Sequence, residues 1–458
     1  MARADLDFVH RTLQENHPGA IDSADPAFRR TMEEGYRVAS ASARKARSLA
    51  DEKRLLARYA AGFADIHLQV DFNTQSRHMA WPGIVINRTG DRYVVSGRAA
   101  QWPVPLPAIG AELRACDGRT PDSMMNEDVL PGLFNLLDSP AVKAMYMYYF
   151  FLDDDLAPRQ YRRCTFAEAD AVREMALEWN PIARPAYYKQ WEAANPPISK
   201  HSTIDQLAAD TWWVHLPEFA PGPEQEAELK ALIARMPTLR DAALVVFDTR
   251  GNGGGDSQWG DDVLAALYGK PFLDAIEARQ GEQGYSEWRV SKGNLEHLAA
   301  IIARHRRQFG NGSDAPTTFT NLYARMEKSL AKGGRFERQS LPTPAPAPAT
   351  VLAAAALSQA RAVLVTDSNC VSSCLDFADA VRALPGAVHL GQTTGADTLY
   401  MDVRTVDLPS ALGTLTFAQK VYRGRQRGNN QPWVPSRQYP GPIADTEQVK
   451  AWVLQQLR

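Results

Sequence analysis

The chain has 458 residues, 45% of them hydrophobic and 23% charged, with a formal net charge of −2. That is globular composition, enough for two or three domains, and the basic residues are not clustered, so nothing points to a nucleic-acid or anionic-membrane partner. No run of about eighteen apolar residues occurs, so no membrane span is expected. The cysteines, Cys116, Cys164, Cys370 and Cys374, lack zinc-pair spacing and are too few for a disulfide scaffold.

Residues 4–64 read as helices, and "MARADLDFVHRTLQENHPGA" lacks the apolar core of a secretory signal. "IHLQVDF" then alternates strictly, with Ile66, Leu68, Val70 and Phe72 on one face and His67, Gln69 and Asp71 on the other, which predicts a strand. Residues 80–135 look β-rich with turns. Residues 136–200 are mixed, with the aromatic run "MYMYYFFL" and a helix near "AYYKQWEAAN". From residue 210 the pattern is α/β. "TWWVHLPEF" is a strand, "EQEAELKALIARMPTL" an amphipathic helix, and "AALVVFDTR" a strand apolar enough to be buried on both faces. "GNGGGDSQWGDDVLAALYG" is a glycine loop and helix. Residues 270–340 form a charged, largely helical insertion, expected over the carboxyl ends of the strands. "LPTPAPAPA" is an extended connector. "RAVLVTD" and "AVHLGQTTG" are strands, a β-rich tail follows, and "TEQVKAWVLQQL" closes the chain as a helix. No internal repeat is found.

Two strand-to-helix crossings share one design: "VVFDTRGNGGGDS" and "VLVTDSNCVSSCLDF". Adjacent parallel strands bring such turns together at their carboxyl ends. The first offers backbone N–H groups that glycines can turn toward a ligand; the second offers a hydroxyl at a helix start. Together they predict an oxyanion hole beside a nucleophile. The plainer reading of a serine before a helix is an N-cap.

These residues carry a resemblance. "VVFDTRGNGGG" resembles the Asp-Leu-Arg-x-Asn-x-Gly-Gly motif of the C-terminal processing (tail-specific) serine proteases and their tricorn-core relatives. "VLVTDSNCVSSCLDFADAV" resembles their nucleophile segment, "VHLGQTTG" the strand after it, "FADIHLQVDF" their Asp-Gly-His-Thr element, and "PAIGAELRACDGRTP" half of their PDZ-like domain. The order of all five fits. The resemblance places the nucleophile on Ser372, with Ser373 as the fallback, and the oxyanion donors on the N–H groups of Gly254 and Ser373. The lysine of the tail-specific Ser/Lys dyad falls on Asp397, which cannot act as a neutral amine base. The tricorn-type histidine matches His67, whose imidazole suits a general base near neutral pH. No acid stands at the family's third position, so Asn430, Gln431, Asp397 and Asp65 are left open as the group that orients His67. Asp248 and Arg250 are expected to brace the glycine loop.

The resemblance thus implies a crotonase-like α/β core of ββα units, with an N-terminal helical cap and a divergent PDZ-like β domain. The expected divisions are 1–75, ending in the His67 strand; 76–165, the PDZ-like domain; and 166–458, the catalytic core with its insertion at about 270–340. The expected function is a serine peptidase that cuts near the C-termini of peptides or unfolded proteins, with no metal or cofactor and with its oligomeric state open. The alternatives are a catalytically silent peptide- or ligand-binding member of the fold and a non-peptide ester or amide hydrolase. Cys370 and Cys374, four apart at a helix start, read as small buried hydrophobes. They also form, with Cys116 and Cys164, two plausible pairs that only an oxidising compartment would close. That pairing, the exported character of the family and the abrupt N-terminal helix favour a periplasmic or secreted protein whose signal peptide is absent here, with a cytoplasmic one as the alternative.

Overall fold

The apolar run of "AALVVFDTR" becomes the strand Leu244–Asp248, inside a six-stranded sheet. The strand order is Thr203–Ala208, Thr211–His215, Leu244–Asp248, Arg361–Thr366, Val388–Gly391, Arg437–Gln438; the first pair is antiparallel and the rest parallel. Val245, Phe247, Ala362 and Leu364 pack on one face against the helices Pro223–Arg235, Gln258–Tyr268 and Ser373–Ala383. Val246, Val363, Val365 and Leu390 pack on the other against Val449 and Val453 of the closing helix Thr446–Gln456. Burial on both faces explains why these strands read as continuous rather than alternating apolar runs. The structure, a computed structural model, describes residues 2–74, 78–133, 137–169, 171–279, 284–310, 314–339 and 356–457. The proline-rich connector at 341–349 lies outside them.

Three helices open the chain: Ala2–Asn16, Pro26–Ala43 and Leu49–Ala61. Asp25 accepts the Phe28 N–H with Pro26 in the first turn, and Ser48 and Asp51 form a capping box. The helices have no core of their own. Leu6, Val9, Leu13, Leu55 and Leu56 share one with Leu68 and Val70 and with Leu415, Phe417 and Val421 of the long strand Gly413–Arg423. That strand pairs with Gln69–Phe72, Tyr400–Asp407 and Tyr285–Arg289, so the two ends of the chain build one body.

The strand expected to carry His67 begins only at Gln69. Asp65 Oδ1 accepts the His67 N–H at 2.9 Å, and the Leu68 N–H reaches Asp65 O at 3.1 Å. An aspartate bonding the backbone two residues on closes a turn, and that local bond overrides the alternation.

The middle of the chain forms a five-stranded antiparallel sheet: Ile84–Thr89, Arg92–Arg98, Glu112–Cys116, Arg163–Glu168, Ala171–Ala176. Cys116 and Cys164 are partners in its register and are joined as a disulfide. A boundary at 165 would cut the hairpin of the last two strands, in which Cys164 faces Met175. The charges of "AEADAVREMA", three acids and one arginine, hide that last strand from an apolar pattern.

The insertion is not only helical. Beside the helices Lys270–Arg279, Lys292–Phe309 and Asp314–Ala331 it holds the antiparallel strand pair Tyr285–Arg289 and Phe336–Gln339, which extends the sheet of Gly413–Arg423. Its helix Lys292–Phe309 reaches the carboxyl end of the core strands, where His305 Nε2 is 2.9 Å from Asp256 Oδ2 just past the glycine loop, whereas Lys270–Arg279 begins beside Tyr268, whose hydroxyl donates to Ala360 O at the amino end of Arg361–Thr366. No described helix is long and apolar enough to cross a membrane.

Because Phe417 is fully buried between the N-terminal helices and the C-terminal sheet, Phe417→Ala is expected to lower stability by about 3–5 kcal/mol. Urea unfolding followed by circular dichroism checks it; a change below about 1 kcal/mol contradicts the shared core.

Candidate active site

The two crossings leave neighbouring strands in register, with Asp248 opposite Val365. The Thr249 N–H donates to Val365 O at 2.9 Å, and the Gly251 N–H donates to Asp367 Oδ2 at 3.0 Å, tying one turn to the other. Asp248 is fully buried. Arg250 grips it through Nε and Nη2, both at 2.8 Å, and His215 Nδ1 lies at 2.9 Å. Burial alone would raise this carboxyl, but Arg250 and His215 hold it well below the usual carboxylate range. Arg250 Nη1 donates to Ile443 O at 2.6 Å, and Nη2 also to Thr446 Oγ1 at 3.1 Å.

Ser372 stands immediately before the helix Ser373–Ala383 with φ +55° and ψ −129°, and its side chain caps no N–H of that helix. A non-glycine residue in this region costs on the order of 1–3 kcal/mol and persists only where its surroundings enforce it. The enforcement is visible. Cys370 and Cys374, read from the sequence both as small buried hydrophobes and as one of two plausible pairs, are joined across a Cα–Cα span of 5.2 Å and bracket the serine. Gly254, at φ +91°, presses on the turn: a Cβ there would lie 2.8 Å from both Ser372 Cβ and Val371 O. Ser372 is partly exposed, whereas Ser373 is buried with its hydroxyl unpartnered among the described residues.

The N–H of Ser373, the first residue of the helix, has no intrahelical acceptor and lies at the positive end of the helix dipole. The Gly254 N–H is not a free donor as expected. It donates to Asn252 Oδ1 at 2.9 Å, while Asn252 Nδ2 donates to Leu216 O at 2.8 Å. Asparagine two residues earlier competes for the same amide.

His67 is buried and neither ring nitrogen has a hydrogen-bond partner among the described residues. Its nearest carboxylate is Asp65, with Oδ1 3.6 Å from Nδ1, an ion-pair distance longer than a hydrogen bond. Burial disfavours the charged ring, but Asp65, and then the charges of Asp397 and Asp376, raise its pKa overall. Asp376 lies one turn into the helix that Ser372 precedes. Of the other orienting groups proposed from sequence, Asp397 is fully buried and held by Arg425 and Arg427. Asn430 Nδ2 donates to Ala64 O at 2.9 Å, beside Asp65. Gln431 is exposed and its side chain accepts the Gly428 N–H at 2.9 Å, so it is not brought to His67. Sequence reasoning missed Asp367, Arg425 and Arg427, whose partners are remote along the chain.

The pattern of peptidase family S41 matches residues 210–432, which hold the glycine loop and Ser372. Residues 210–432 belong to peptidase family S41. The chain is therefore a serine-type peptidase, a hydrolase. Asp65 and His67 fall outside the matched stretch. No curated protein sequence matches the chain. Among solved structures, mature CPAF is similar over 99% of this chain and 97% of that one, with 12% identity and a TM-score of 0.64. Mature CPAF complexed with lactacystin is similar over 99% and 98%, with 14% identity and a TM-score of 0.62. Both likenesses extend the shared fold beyond the family match, through the N-terminal helices and the antiparallel domain.

Two expectations follow. A base must be neutral to take a proton, so the rising limb of kcat/KM against pH is expected above the ordinary imidazole value of about 6.5. Asp65→Asn removes a contribution that raises His67, so it is expected to move that limb to lower pH; an unmoved limb would show that Asp65 does not act on the base. Gly254→Ala, which drives a methyl into Ser372 and Val371, is expected to cut kcat by at least about a hundredfold, and full activity would contradict the close approach.

Proposed function

We propose that the protein cleaves peptides or unfolded protein chains near their C-termini, with Ser372 as nucleophile and His67 as general base. Ser372 Oγ would attack the scissile carbonyl carbon as its proton passes to the His67 ring. The oxyanion so formed would be held by the Ser373 N–H, a kind of donor worth about 3 kcal/mol in the transition state. As the tetrahedral species collapses, the C–N bond breaks and His67 returns the proton to the leaving amine. Water then repeats the sequence on the acyl-enzyme. Asp65 is the proposed orienting group, because its carboxylate lies nearest the ring.

The observation that carries this reading is the Ser372 backbone: a strained, partly exposed serine that caps nothing, pressed by a glycine loop. The antiparallel domain is proposed to act as the PDZ-like grip on the substrate chain. The exposed edge strand Ala171–Ala176 supports this, since an extended peptide can add to such an edge. Export to a periplasm or beyond is proposed on the two disulfides.

Ser372→Ala is expected to abolish hydrolysis of unstructured peptides, while Ser373→Ala keeps it within about tenfold. The reverse pattern assigns the nucleophile to Ser373. Hydrolysis of small esters without any peptide cleavage would favour a non-peptide hydrolase.

A further inference from the structure

The helix that begins after Ser372 and the turn that holds His67 belong to distant parts of the chain, and a buried arginine lies between them. Arg427 is fully buried. Its Nε reaches both carboxylate oxygens of Asp379, at 3.3 and 3.2 Å, and its Nη2 lies 3.8 Å from Asp376 Oδ1. Both acids belong to the helix Ser373–Ala383. Its Nη1 bonds Asp397 Oδ1, which Arg425 Nη2 also meets at 3.0 Å. The backbone of Asp397 carries the link onward. Its carbonyl accepts the Asn430 N–H at 2.8 Å, and Asn430 Nδ2 donates to the carbonyl of Ala64, the residue before Asp65. Asn430 itself sits at φ +53°, a conformation asparagine tolerates better than most residues.

We propose that Arg427 is a positioning residue: with Asp397 and Asn430 it clips the Ser372 helix to the Asp65–His67 turn and so sets the approach of base to nucleophile. The inference rests on the reading of Ser372 and His67 as the catalytic pair. A planar guanidinium suits the task, because one group can hold the carboxylates of Asp379 and Asp397 by hydrogen bonds in fixed directions, with Asp376 at ion-pair distance, where an ammonium cannot. Rigid support also matters here because neither ring nitrogen of His67 is held by a hydrogen bond to the described residues. The histidine is placed by its backbone, and its backbone is placed by this clip.

Removing Arg427 alone leaves Asp397 to Arg425 and takes the cation from the half-buried Asp376 and Asp379, which endangers folding, so the test uses three changes. Asn430→Ala cuts the far end of the clip. Arg427→Met/Asp397→Asn removes a charge pair together. Arg427→Lys keeps the charge without the fork. Each is made in the otherwise unchanged protein and in a His67→Ala background, with kcat and KM measured on an unstructured peptide and melting followed by circular dichroism. Asn430→Ala is expected to lower kcat about tenfold with KM changed less than about twofold, and to have almost no further effect once His67 is gone, because residues that act as a unit are non-additive. The double change is expected to behave likewise with a larger loss, and Arg427→Lys to retain more activity than it. Equal losses in both backgrounds would show a general structural role and overturn the clip. So would unchanged kcat in Asn430→Ala and the double variant. If His67→Ala alone is as active as the unchanged protein, the catalytic pair itself is wrong, an outcome separate from either.

Discussion

Everything at the site depends on one register: Leu244–Asp248 lies parallel to Arg361–Thr366 with Asp248 opposite Val365. Parallel strands end their ladders at the same level, so the chain must leave both strands side by side. A shift of one residue would turn Phe247 and Leu364 from one core to the other, and the buried faces forbid it. The glycine loop and the Ser372 turn therefore meet because two hydrophobic layers fix the strands beneath them. The bonds from Thr249 and Gly251 to the second crossing then hold the turns in contact.

Two buried carboxylates near that junction are each paired with cations. Asp248 is sealed by Arg250 and His215; Asp397 is sealed by Arg425 and Arg427. Taking such ions from water costs several kcal/mol each, so a pair of this kind adds little net stability compared with well-packed apolar side chains. What it adds is direction. Arg250 ties the glycine loop to the carbonyl of Ile443, and Arg427 ties the serine helix to the loop after the next strand. The strained Ser372 backbone is braced differently, by the covalent link from Cys370 to Cys374 and by contact with Gly254.

What was legible in the sequence was local. The apolar run at 244–247, the glycines after Asp248 and the serine before an amphipathic stripe each declare themselves within a dozen residues, and the structure has a buried strand, a loop and a helix start at those places. What was not legible depended on residues far apart or on one polar bond. Nothing around Arg427 says that it will meet acids 30 and 48 positions earlier. The alternation of "IHLQVDF" predicted a strand through His67, but a single bond from Asp65 to the His67 amide makes a turn there. The Gly254 amide looked free because the competing oxygen, on Asn252, is visible only once the loop is folded. The hairpin after Cys164 was missed because its strand Ala171–Ala176 is mostly polar and solvent-facing.

The central claim is that Ser372 is made nucleophilic by His67. Phosphonylation by a fluorophosphonate reports this without any knowledge of the natural substrate, since it needs only an activated serine. The rate of labelling, measured across pH in the unchanged protein and in His67→Ala, with the labelled peptide identified by mass spectrometry, tests it directly. The account predicts label on Ser372, a rate that rises as His67 loses its proton, and a fall of at least about a hundredfold in His67→Ala. Label on another residue, or a rate on Ser372 indifferent to His67→Ala, would contradict it.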